Sequence, residues 1–144
     1  MKRFQFHLAS VRDYRRQRLE MEEVKLQSIF AQRQALDFET SRLDREAAET
    51  RNSIVMTVSA ESQNLAAMDA YLSYLGLAKK KHTAKINDCR IRIVEQQRLI
   101  VEARRGVRLI EILEERRHRE WRMGVEREQE NLSSELYLAR WKRN

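Results

Sequence analysis

The sequence predicts an all-α protein in which two long helices pair as an antiparallel coiled-coil hairpin, with the second helix overhanging the first. Three observations carry this expectation. There is no proline, and the only glycines are Gly76, Gly106 and Gly124; the residues that normally punctuate turns are almost missing, so turns must be few. Charged residues make up 35% of the chain, and the apolar residues between them recur in steps of three and four, the period of a helix with one buried stripe. Finally, the apolar repeat of the second half stops where the partner arm of a hairpin would end.

The first helix is expected over about residues 6–58. Leu19, Leu26, Ile29, Leu36, Leu43, Ala47 and Ile54 are separated by three, four or seven residues and so share one face. Glu22, Arg33, Thr40 and Thr50 interrupt that face, which makes the seam looser than a leucine zipper, since each buried Leu or Ile contributes only about 1.5–3 kcal/mol. The turn is expected at about 59–63. There Thr57-Val58-Ser59-Ala60-Glu61-Ser62 combines β-branched residues with serines that bond the local backbone, and Ser59 or Ser62 is a candidate N-cap.

The second helix is expected over about 64–141 and has the clearer repeat. One heptad set reads Leu65, Leu72, Lys79, Ile86, Ile93, Ile100 and Val107; the other reads Met68, Leu75, His82, Cys89, Gln96, Ala103 and Ile110. Such a run specifies a coiled coil. Past residue 110 the same frame meets mostly charged residues. If the chain turns near residue 60, positions whose numbers add to about 121 face each other, and Leu8 falls opposite residue 113. Pairing over about 50 residues, some 75 Å of helix, leaves roughly the last thirty without a partner. Residues 1–144 are accordingly read as a single coiled-coil domain.

Charge is uneven. The formal net charge is +7, and the excess lies in residues 64–110, where ten basic side chains outnumber four acidic ones. Such a stripe suits an acidic protein surface, a nucleic-acid backbone or an anionic membrane. Few aromatics interleave with it to stack bases, so an acidic protein surface is the expected partner and nucleic acid is not. Cys89 is the only cysteine, which excludes an internal disulfide and suits a reducing compartment. No apolar run approaches the roughly 20 residues needed to cross a bilayer. The expectation is a soluble, cytoplasmic protein.

No catalytic pattern is present. There is no Gly-rich phosphate loop. His82 and Cys89 are one heptad apart, about 10 Å along a helix, too far to chelate one zinc ion. The chain is expected to be no enzyme and to hold no metal or cofactor. Aromatic residues are more informative. Tyr71, Leu75, Ala78 and His82 share a helix face just past the turn, and either pack on the first helix or form a small apolar patch at the hairpin tip. Trp121, Tyr137, Leu138 and Trp141 stand in the stretch expected to have no intramolecular partner, which reads as protein-binding anchors or as packing in an oligomer.

Two stretches carry a family resemblance. Phe4-x-Phe6-x-Leu8-x-x-Val11, followed by Arg15 and Arg16, resembles the N-terminus of the FliJ family. Arg108-x-x-Glu111-x-Leu113-x-Glu115-Arg116-Arg117-x-x-Glu120-Trp121 is similar to that family's second helix, and the length and lack of proline also fit. The resemblance implies a stalk-like component of the flagellar type III export apparatus. It would bind the hexameric export ATPase (FliI-like), promote its assembly and activity, and link it to the export gate protein (FlhA-like) and to export chaperones, at the cytoplasmic side of the inner membrane. On this resemblance the ATPase-facing residues are Phe4, Phe6, Leu8, Arg15, Arg16, Arg116, Arg117 and Trp121, and the gate-facing residues are Tyr71, Leu75, Ala78 and His82. The alternatives are the corresponding stalk of a virulence-type secretion system, another coiled-coil adaptor or helical scaffold, or a basic nucleic-acid-binding protein.

Overall fold

A computed structural model describes residues 2–56 and 62–143. It contains two helices, α1 (Ala9–Met56) and α2 (Ser62–Trp141). Helix α1 starts later than the sequence predicts: Phe6 and His7 lie before it, and the Phe6 carbonyl accepts the Ala9 amide at 3.1 Å, a turn that launches the helix. Helix α2 already includes Ser62. Of the expected turn, residues 59–61 lie outside the described residues, as does the candidate cap Ser59.

The backbone contacts group into two units. The first, Glu22–Ile100, pairs the greater part of α1 with the start of α2. Its core is the cluster Ile29, Cys89 and Ile93, with Leu26 and Leu36 packed against it. Leu43, Leu75, Ile86 and Ile100 are buried along the same line. Each belongs to a stripe or heptad set that the spacing picks out. The helices run antiparallel here. Asp44 pairs with Lys79 at 2.6 Å, Gln32 accepts from Arg92 at 3.2 Å, and Glu46 accepts from the Tyr71 hydroxyl at 3.0 Å. Each of these pairs adds to within a few of 121.

The polar gaps in the α1 stripe are filled chemically. Thr40 and Thr50 turn their hydroxyls back to the Leu36 and Glu46 carbonyls, at 2.9 and 2.8 Å, so only their methyl groups need apolar surroundings. Gln96, at a heptad position, is buried; its amide donates to the Glu22 carbonyl at 3.0 Å and also to the Glu22 carboxylate. Two polar residues in the seam thereby satisfy each other, which avoids the cost of about 1–3 kcal/mol for a buried group left unbonded.

The second unit joins the chain up to Met21 with Val101 onwards. Val107 and Ile110 are its buried apolar residues, and the buried seam stops at Ile110, where the heptad repeat runs out. Three arginines clip α1 to α2. Arg12 pairs with Glu114, Arg16 with Glu111 at 3.1 Å, and Arg15 donates to the Gly106 carbonyl at 2.9 Å. The contact does not depend on glycine at 106, since a Cβ there would meet the Arg15 side chain at 3.8 Å, an ordinary contact. Hydrogen bonds to Glu114, and then to Asp13, raise the Arg12 pKa above its ordinary value.

In both units, then, α1 lies antiparallel on α2, and the chain is a helical hairpin whose C-terminal helix is the longer. The core residues keep 3–8% of their surface accessible and none is fully enclosed, because two helices form one seam and no interior layer. No described helix is long and apolar enough to cross a membrane.

Candidate functional site

Residues 2–8 form no helix and run as a strap over α2. The Phe4 ring meets the His118 ring edge-on at 5.0 Å and the Trp121 ring at 5.8 Å. The Trp121 indole donates to the Lys2 carbonyl at 3.2 Å, and His118 and Trp121 lie 5.7 Å apart on successive turns of α2. These contacts correct the expectation that Trp121 has no intramolecular partner. Apolar ring area brings the strap down, and the indole N–H fixes it by satisfying a backbone carbonyl.

Between strap and helix lies a cleft of about 680 Å³ whose walls include Phe6, Leu8, Leu113, Arg117, Glu120 and Trp121. Phe4, Phe6, Leu8, Arg117 and Trp121 are thus gathered in one place. Arg15 and Arg16 sit a turn or two along α1, already engaged with Gly106 and Glu111. Arg116 and Arg117 both reach Glu120, at 3.5 and 3.4 Å, in exposed pairs that hold weakly and leave both guanidinium groups open to an acidic surface. The useful partners that sequence reasoning missed are Lys2, Arg12, Glu114 and His118. Arg12 and Glu114 were findable, being opposite charges whose numbers add to within a few of 121.

The second group of sequence candidates has a different character. Leu75 is 3% exposed and part of the seam, as its heptad position requires. Ala78 and His82 are half-buried, and His82 Nδ1 is buried without a hydrogen-bond partner. Only Tyr71 of the four is substantially exposed. Its ring stacks near Tyr74 at 6.4 Å, and its hydrogen bond to Glu46 raises the phenol pKa above the ordinary 10.0, with burial adding to the effect. Leu75, Ala78 and His82 therefore pack the hairpin, and the accessible apolar surface of this stretch is Tyr71, Tyr74 and Leu77.

Among the described residues no group of three or more His, Cys, Asp or Glu is arranged to hold a metal ion. The Cys89 thiol is buried in the seam. The clefts beside the strap are open at the surface and lined by mixed charges and aromatic rings.

The strap is directly testable. In a Trp141→Phe background, which leaves Trp121 as the sole indole, Phe4→Ala should shift the fluorescence emission to longer wavelength and increase quenching by iodide, with helicity preserved. An unchanged spectrum would mean that Phe4 does not shield Trp121.

Comparison with protein-family models, curated proteins and solved structures finds no match to this chain.

Proposed function

We propose that this chain is a coiled-coil stalk and adaptor of a flagellar protein-export apparatus, acting by binding other proteins and catalysing nothing itself. Its partners would be the hexameric export ATPase, the export gate protein and export chaperones, with no small-molecule substrate or cofactor. It would work in the cytoplasm, peripheral to the inner membrane. The observation that carries the reading is that Phe4, Phe6, Leu8, Arg117 and Trp121, drawn from both stretches that resemble the FliJ family, line one cleft. Aromatic and guanidinium groups together are what interface anchors are made of.

The mechanism follows from symmetry. A single hairpin seated in a ring of identical subunits meets each of them differently, so it can favour ring closure while biasing one subunit at a time. Arg116 and Arg117, held only by weak pairs to Glu120, would supply the salt-sensitive part of the contact. The stalk of a virulence-type secretion system is the alternative within the same class, and the choice of ATPase decides between them.

The test is steady-state ATP hydrolysis by the flagellar export ATPase of the same organism, with and without this protein, alongside ring counts by electron microscopy. Stimulation and more rings are expected, both reduced several-fold by Arg116→Glu with Arg117→Glu at unchanged helicity. No stimulation by a folded chain acting on a competent ATPase would sink the proposal.

A further inference from the structure

From Glu126 to Arg143 every residue of the chain is exposed, yet the stretch is patterned. Val125, Leu132 and Ala139 lie at one heptad position, and Gln129, Leu136 and Arg143 at the other, a frame shifted by one residue from the seam that ends at Ile110. Leu132 is 58% and Leu136 66% accessible, and both sit on the resulting stripe. The helical hydrogen bonding continues to the end of it: the Lys142 amide donates to the Leu138 carbonyl at 3.0 Å. Charge along the stretch is polarised. Residues 126–135 carry Glu126, Glu128, Glu130 and Glu135 against Arg127 alone, whereas residues 136–143 carry Arg140, Lys142, Arg143 and no acid.

We propose that residues 125–143 form a self-association site whose occupant is the same stretch of a second copy, running antiparallel. The stretch is self-complementary. An antiparallel two-helix seam places the two core positions opposite each other and makes each flank face its own counterpart. Centred near Ser134, that geometry sets Leu132 against Leu136 of the partner copy and Gln129 against its Ala139. On one flank Glu126 then meets Arg140, and on the other Glu128 meets Lys142. Two-fold symmetry repeats each pair. Four attractive contacts and four leucines converge in one register. A parallel pair would keep only Glu135 opposite Arg140 and would stack Arg143 on its own copy. The antiparallel pair carries one penalty, Glu135 facing itself across the axis.

Tyr137, Leu138 and Trp141 lie on the other side of the helix, so self-association leaves them free. With two leucines from each copy the interface is small, and it should assemble in the micromolar range. Because half of the contact is between surface charges, added salt should weaken it.

Sedimentation equilibrium of the full chain across micromolar concentrations tests this, independently of any export ATPase. A reversible monomer–dimer equilibrium that weakens with salt is expected. Glu126→Lys with Glu128→Lys, and separately Arg140→Glu with Lys142→Glu, should each weaken it at least tenfold. Mixing these two variants should restore dimer, since every reversed charge then faces its opposite. Glu135→Gln should tighten it. A chain that stays monomeric throughout the range would overturn the proposal. So would a dimer untouched by both charge reversals, or one that mixing the variants fails to rescue.

Discussion

Leu75→Asp should collapse the hairpin: a melt followed by circular dichroism should show a large drop in midpoint and loss of helix well below the wild-type transition. Leu75 has the lowest accessibility of the buried residues in the seam. Removing its side chain to alanine should cost about 2–5 kcal/mol, a large fraction of the 5–15 kcal/mol that holds a typical domain together. Aspartate adds a charge to an apolar, buried position, and costs more. Tyr71→Ala and Tyr74→Ala, on the accessible side, should move the midpoint only slightly, since surface substitutions usually stay within about 0.5 kcal/mol; Tyr71 adds the loss of its bond to Glu46. The contrast has a practical consequence. Loss of partner binding by Leu75→Asp would report unfolding, so any partner surface near here has to be probed at Tyr71, Tyr74 or Leu77. A full-strength melt for Leu75→Asp would mean that the seam does not run through residue 75.

How much of this was legible in the sequence depends on where each interaction lives. The seam of α2 was readable because Ile86, Ile93, Ile100 and Val107 repeat every seven residues, and burial follows that repeat. The polar interruptions of α1 were visible as gaps but could not be explained alone. Thr40 and Thr50 are satisfied by carbonyls of their own helix, and Glu22 by a residue on the other one. Positions adding to about 121 face each other, which sets Leu8 opposite residue 113. Extended to Phe4, the same sum points to residue 117, one turn from Trp121, where the strap lies. Leu75 and His82 stand both at a heptad position and on a candidate binding face, and burial places Leu75 in the seam.

Replacing Gln96 alone and replacing it together with Glu22 should have opposite consequences. In Gln96→Leu the Glu22 side chain, 13% accessible, loses the amide that donates to it. Lys25, at 3.3 Å, remains but is itself largely in solvent. The expected cost is about 1–3 kcal/mol. Glu22→Leu should cost less, because the Gln96 amide keeps the Glu22 backbone carbonyl at 3.0 Å. The double change Glu22→Leu with Gln96→Leu puts apolar side chains at both positions, and should restore or exceed wild-type stability, as apolar replacements of buried polar sets often do. Urea melts of the four proteins give the coupling, expected at about 0.5–3 kcal/mol; additive effects would show that the two residues do not act together. If the double variant is the more stable protein, the polar pair is there for something other than stability. A polar residue in a coiled-coil core fixes register at a cost in stability. The seam of α1 interrupts its apolar residues with Arg33, Thr40 and Thr50, so neighbouring registers are poorly distinguished by hydrophobic contact alone. Gln96 bonded to both the backbone and the carboxylate of Glu22 singles out one of them. The double variant should therefore be stabler yet exchange its backbone amides faster around residues 22 and 96, as the helices sample shifted pairings; slower exchange there would remove the register role.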